Sequence, residues 1–266
     1  MPRDEGRVTG GLAVGTDAGI MTVTIDRPAR RNAITQAMWD ALAGLFEAVH
    51  TMSPVRVVVI AGAGADFSAG ADISEFDTVR KDPETALAYE TANARAFAAI
   101  RHCPVPTIAA IRGTCFGGGF GIAAACDLRI AERDARFSVP AAKLGLAYPQ
   151  DAMIDIVNAC GPQLARYLMF SAARISAEEA FENGLVLSVQ EPGMLEGETA
   201  RIAGAIAANA PLSVRASKVA IAATLSGRSD LADIAARLGA ETFSSEDYAE
   251  GRAAFRERRT PRFEGR

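Results

Sequence analysis

Histidine is scarce: His50 and His102 are the only two among 266 residues, and neither stands at ligand spacing from a cysteine or from the other. That leaves no Cys/His framework for a structural or catalytic metal. The four cysteines, Cys103, Cys115, Cys126 and Cys160, form no CxxC pair and sit in apolar contexts. They read as reduced structural thiols of a cytosolic protein. A basic surplus is missing as well, with 28 lysines and arginines against 32 aspartates and glutamates and a net charge of −4. A nucleic-acid partner, with its phosphates, would ask for the opposite balance. No apolar run reaches membrane-spanning length, and the N-terminal MPRDEG is unlike a secretory signal. The sequence therefore predicts a soluble, cytoplasmic protein with no membrane partner. Two motifs are absent too. GGGFG lies mid-chain without the acid that a dinucleotide fingerprint places about 20 residues on. No GxSxG marks a hydrolase elbow.

What is present centres on residues 112–127, RGTCFGGGFGIAAACD. A β-branched run at 106–111 leads into Gly117-Gly118-Gly119 and then into a small-residue helix predicted at 122–125. Glycines let another group approach the backbone closely. The first N–H groups of a helix lack intrahelical partners and carry its positive end. Together they make a place for a carbonyl oxygen gaining negative charge, or equally a tight helix–strand packing turn.

Along the chain, residues 11–26 read as a hairpin turning over 15–19, and 35–50 as an amphipathic helix stopped by Ser53-Pro54. A buried strand at 55–60 follows. The segment FSAGAD (67–72) is a second small-residue turn, opening a short helix at 73–76 and offering an exposed N–H at Ala71. Asp82-Pro83 starts an Ala-rich helix to about 101. Strands are predicted at 126–131, 135–139 and 185–190, a loop at 140–149, and helices at 150–159, 162–170 and 176–182. Beyond Pro192 everything reads as helix: 195–208, 211–225, 229–242 and 245–258. The pattern is α/β, a strand-rich core with a helical C-terminal subdomain.

Six stretches, co-linear over nearly the whole chain, resemble the enoyl-CoA hydratase/isomerase (crotonase) family. They are IDRPARRNAI (25–34), FSAGADI (67–73), PTIAAIRGTCFGGGFGIAAACDLRIA (106–131), FSVPAAKLGL (137–146), ARISAEEAFENGLV (173–186) and SSEDYAEGRAAFRERRTPRF (244–263). The resemblance implies a crotonase-like spiral of β-β-α units over 1–190, carrying a CoA-thioester site. It implies a helical trimerisation subdomain over 191–266, and a homotrimer or dimer of trimers. The ligand would be an acyl-CoA thioester, with CoA part of the substrate and no further cofactor. Its carbonyl would lie between the N–H groups of Ala71 and Gly118, which would stabilise an enolate. Ala69, Gly70, Asp72, Ile73 and Gly117 would border the ligand, with Phe255 and Arg258 near the CoA phosphates.

The family's hydration chemistry resembles two-carboxylate catalysis, one Glu activating water and the other protonating the α-carbon. This sequence holds Gly121 and Ala141 where the two would stand, and Pro149 where isomerase-like members place a carboxylate. Ordinary hydration is therefore not expected. Asp151 and Asp155 begin the following helix, and Asp151 is a candidate replacement, although an acid there also caps a helix. Tyr148, in a stretch resembling methylmalonyl-CoA decarboxylases, is the other. Those enzymes' histidine and glutamate are replaced by Ala71 and Gly121 here. Three readings stay open: a hydratase/isomerase-like enzyme with relocated acid–base groups, an acyl-CoA decarboxylase-like lyase using Tyr148, and a non-catalytic acyl-CoA-binding protein.

Overall fold

The hairpin forms as the alternation requires, but its strands run further into the turn. β1 (Leu12–Asp17) pairs antiparallel with β2 (Ile20–Ile25) up to Asp17 opposite Ile20. Only Ala18-Gly19 is left to turn, with φ of 47° and 80°. Positive φ at both positions gives the turn twist that matches paired strands. The structure is a computed structural model describing residues 10–52 and 55–266. The Ser53-Pro54 stop and the N-terminal MPRDEG lie outside the described residues.

Two sheets share the strands. β2 continues in parallel with β3 (Val57–Gly62), β4 (Thr107–Ile111), β6 (Leu128–Glu132) and β9 (Ser188–Gln190), giving the order β1-β2-β3-β4-β6-β9. A second, small sheet holds β5 (Thr114–Phe116), β7 (Arg136–Ser138) and β8 (Ile175–Ser176). Bridges Ile34–Ala71 and Ser68–Cys115 extend that pairing. Each unit thus places one strand in the large sheet, a short extended piece beside the small one, and then a helix. β2, Ile34 and α1 (Gln36–Ala48) form the first unit; β3, Ser68, the short α2 (Phe76–Val79) and α3 (Pro83–Arg101) form the second. β4, β5 and α4 (Gly118–Ala125) follow, then β6, β7 and α5 (Gln150–Ser171), with α6 (Ala177–Glu182) after β8. This is the crotonase-type spiral.

Three local expectations are corrected. α4 begins at Gly118, not 122, because Gly117 (φ 50°, ψ −116°) already makes the turn into the helix. The stretch read as loop opens with a 3-10 turn, Pro140–Leu144. The helices expected at 150–159 and 162–170 join as α5, broken only by Gly161 (φ 72°, ψ 163°) before Pro162.

The main core lies between the sheets and α1, α3, α4 and α5, with Trp39, Phe46, Phe67, Phe97, Phe120 and Phe137 fully buried. The other face of the large sheet buries Val57, Val59, Ile108, Ala110 and Ile130 against Leu195, Ala203 and Ala207 of α7 (Leu195–Ala207). Strands covered on both faces are apolar throughout, which is why β3 and β4 read as continuous runs. The division drawn at 190 therefore precedes a helix that packs on the sheet. α8 (Pro211–Ser226) and α9 (Ser229–Thr242) pack on each other and bury little: Ala223 alone on α8, nothing on α9. α10 (Glu246–Glu257) closes the chain. Among the described residues, no helix is long and apolar enough to cross a membrane.

Candidate active site

Two turns are drawn together by a buried polar frame that starts at Asn32. Asn32 is fully buried, and its side-chain amide donates to the carbonyls of Ala63 (2.9 Å) and Asp66 (2.6 Å). The Ser68 hydroxyl donates to the Asn32 carbonyl (2.8 Å) and accepts from the Gly70 N–H (3.1 Å). On the far side, the Phe116 N–H donates to the Ser68 carbonyl (3.0 Å) and the Gly117 N–H to the Ser138 carbonyl (2.9 Å). These bonds fix the 67–72 turn against the N-terminus of α4.

The fit is close enough to demand glycine. A methyl group at Gly70 (φ 91°) would lie 2.7 Å from the Phe116 oxygen and 2.9 Å from the Gly118 nitrogen. One at Gly118 would meet the Trp39 ring at 2.8 Å and stand 3.6 Å from the Ala71 nitrogen. Ala71 and Gly118 thus sit on adjoining turns, both half-buried. Among the described residues neither N–H has a hydrogen-bond partner. A half-exposed pair of unpaired amides, one at a helix N-terminus, can receive an oxyanion.

Trp39 and Tyr89 back this pair, and the sequence reading missed both. The Trp39 indole N–H donates to the Tyr89 hydroxyl (3.0 Å), which donates to the Ile34 carbonyl (3.5 Å). Burial pushes the Tyr89 phenol up to about 12, so it stays protonated. Trp39 is the only tryptophan of the chain and stands in helical phase with Leu42 and Phe46, but nothing in the sequence says it packs under Gly118.

Tyr148 is half-buried beside α4, its hydroxyl donating to the Gly117 carbonyl (3.0 Å), which also accepts the Gly121 N–H (3.0 Å). Burial drives this phenol far above its ordinary range. A methyl at Gly121 would lie 2.5 Å from the Tyr148 hydroxyl and 2.5 Å from Phe97 Cζ. Ala141 is half-buried in the 3-10 turn, and Pro149 half-buried at the start of α5.

The remaining candidates divide. Ala69 donates its N–H to the Arg31 carbonyl (2.9 Å), and Ile73 is 69% exposed next to the turn. Asp72 is buried, and its carboxylate accepts from Arg27 (2.8 Å) and from the Ser74 hydroxyl (2.6 Å) and N–H (3.1 Å). The Ser74 hydroxyl, with Arg27 assisting, holds that carboxyl below its ordinary value. These bonds brace the turn. Asp151 is exposed on the first turn of α5, with Arg101 donating to its main-chain carbonyl (3.3 Å). Asp155 is buried and paired with Arg101 (2.7 Å), fastening α5 to α3. Phe255 is 87% exposed on α10 and lines an open groove of about 680 Å³ with Phe243, Tyr248, Arg252 and Phe263. No residue of the two glycine turns belongs to that groove. Arg258 is exposed where α10 ends, with left-handed backbone (φ 52°).

A β-β-α spiral whose glycine turns meet at one helix N-terminus defines a crotonase-fold protein. The chain belongs to the enoyl-CoA hydratase/isomerase family, whose sequence model matches residues 15–266. It is 32% identical over 253 residues to a probable mitochondrial enoyl-CoA hydratase 2 of Arabidopsis thaliana, covering 94% of this chain and 83% of that one. It is 34% identical over 249 residues to a short-chain-enoyl-CoA hydratase of Clostridium acetobutylicum, covering 90% and 92%. Among solved structures, an enoyl-CoA hydratase/carnithine racemase from Magnetospirillum magneticum superposes with a TM-score of 0.91 at 36% identity, covering 97% of each chain.

Proposed function

We propose that the protein is an enzyme of acyl-CoA thioesters that holds the thioester oxygen between the Ala71 and Gly118 N–H groups and stabilises an enolate there. The observation that carries this reading is the pair of unpartnered amides on adjoining turns, one of them the first N–H of α4. Negative charge forming on the oxygen would meet two unpartnered donors and a helix dipole, and losing one such donor typically costs about 3–4 kcal/mol of transition-state stabilisation. Ala69, Gly70, Ile73 and Gly117 would line the ligand, and CoA would enter as part of the substrate.

Hydration by a pair of glutamates does not fit. Gly121 and Ala141 carry no proton-transferring group, Asp72 is engaged by Arg27 and Ser74, and Asp151 faces solvent. Loss of carbon dioxide from a malonyl-type thioester needs no base, because the departing group leaves its electron pair in the enolate. The absence of a carboxylate at 121 favours that decarboxylase-like second reading, in which Tyr148 would serve through its bond to the Gly117 carbonyl.

The discriminating experiment incubates the protein with enoyl-, 3-hydroxyacyl- and malonyl-type CoA esters and follows each by mass. A loss of carbon dioxide from the malonyl-type ester selects the lyase, and gain or loss of water or exchange of α-hydrogen selects hydratase/isomerase chemistry. Binding without any mass change would reduce the protein to a carrier. Crotonyl-CoA hydration at an ordinary hydratase rate would overturn the claim that the glutamate route is closed. No binding of any ester would overturn the whole reading.

A further inference from the structure

Gly117 and Gly118 share one peptide group, and its two ends are in different hands. The carbonyl end accepts two hydrogen bonds, from the Gly121 N–H and from the Tyr148 hydroxyl, both at 3.0 Å. The other end is the Gly118 N–H, which has no partner among the described residues. In a trans peptide the C=O and N–H point in opposite directions, so a donor pinning the oxygen also fixes where the N–H aims. Hydrogen bonds in series polarise one another, so a carbonyl with two donors makes its own N–H a stronger donor. The need for such a clamp is local: Gly117 has φ 50° and ψ −116°, and glycine on both sides leaves the peptide plane little steric restraint.

Room for the clamp comes from residue 121. Any side chain there would begin 2.5 Å from the Tyr148 oxygen and 2.5 Å from the Phe97 ring, so Gly121 and Tyr148 are one device. We infer that Tyr148 is a positioning residue: it orients and polarises the Gly118 N–H through the Gly117 carbonyl, and occupies the space a side chain at 121 would need. It does not exchange protons with the substrate. This deepens the oxyanion reading above and rests on it.

The test uses the full-length protein, butyryl-CoA labelled with 13C at the thioester carbonyl, and isotope-edited difference infrared spectroscopy. Wild type should pull the carbonyl stretch to lower frequency, as donors polarise it. Tyr148→Phe, which deletes one oxygen, should return the stretch part of the way to its solution value while the dissociation constant stays within about threefold. With whichever ester the panel shows to react, kcat should fall about tenfold with KM nearly unchanged, one hydrogen bond's worth of transition-state stabilisation. The shape of the pH–rate profile should be the same in both proteins. Should Tyr148→Phe not fold, Gly121→Ala in a Phe97→Leu background displaces the hydroxyl by its new methyl, and should lose the same part of the shift that Phe97→Leu alone keeps. An unchanged carbonyl stretch in Tyr148→Phe, or loss of a limb of the pH profile, overturns the clamp. A wild-type stretch that never leaves its solution value overturns the oxyanion site itself.

Discussion

At residue 121 a single absent carbon decides what chemistry the site can hold. Phe97 Cζ and the Tyr148 hydroxyl both stand 2.5 Å from where a β-carbon would be. Gly121→Ala should therefore destabilise the fold by about 1–3 kcal/mol through overpacking, read as a lower urea midpoint at unchanged slope. Gly121→Glu should for the same reason create no crotonyl-CoA hydratase, Phe97 and Tyr148 crowding the new side chain and Ala141 supplying no second carboxylate; activity from the single change would show that the pocket gives way. Asp72 supplies a pH test. The Ser74 hydroxyl and Arg27 lower its folded pKa below the ordinary 3.8, so the folded state binds its proton more weakly than the unfolded chain. Its contribution is then fully present above that value and lost as pH falls through the depressed one. Asp72→Asn should cost about 1.5–3 kcal/mol near neutrality, a charge-assisted hydrogen bond's worth. Urea titrations should show the gap to wild type narrowing below about pH 4. A gap that widens in acid would mean the carboxylate does not carry the bond.

At the scale of elements, α4 has almost no side chains to work with, GGFGIAAA, and functions through its ends. Its first amide is left open at the site. Its last carbonyls are taken by Arg129, which donates to Ala123 (3.2 Å) and Cys126 (2.6 Å), and also to Leu185 (2.7 Å). A cation at the negative end of a helix whose positive end is free keeps the dipole balanced. Arg129→Met fills the space but strands those carbonyls, and should cost about 2–4 kcal/mol in chemical denaturation. The hairpin offers the opposite change. Ala18 sits in left-handed backbone (φ 47°) before Gly19, and Asn tolerates that conformation better. Ala18→Asn should raise stability by about 0.5–1 kcal/mol; a fall would mean the turn relaxes in solution. α1 was legible from its periodicity and α3 from its Asp82-Pro83 start and alanine content, as were the apolar runs of β3 and β4. β5 and β8 were not, since three and two residues carry no period and are extended only because β7 lies between them. The glycine turns were legible as turns. That Trp39 lies under Gly118, or that Tyr148 meets Gly117, is set by the winding of the spiral and has no local signal.

For the whole molecule, the C-terminal helices present apolar surface that one chain does not cover. Ile221 and Leu225, one turn apart on α8, are 60% and 61% exposed, while Phe243 and Phe255 reach 73% and 87%. Residues at i and i+4 share a helix face, and apolar faces this open mark contact surfaces. The resemblance that led to the site also implied a trimer or a dimer of trimers. Light scattering on the purified protein should accordingly give three or six times the 27.9 kDa of the chain. Ile221→Glu with Leu225→Glu should bring that mass down without unfolding the protein, because both cores lie elsewhere, α7 closing the second of them. Within one chain, Phe255 borders a groove separate from the glycine turns, and Arg258 closes the same helix. If these two residues serve the CoA moiety of a neighbouring copy's ligand, assembly becomes part of the binding site. The monomeric variant should then bind butyryl-CoA at least about tenfold more weakly, the loss of a contact or two from a rim. Wild type and variant binding equally well would confine the ligand to one chain and leave Phe255 and Arg258 as surface residues. A wild type that stays monomeric at micromolar concentration would remove the premise altogether.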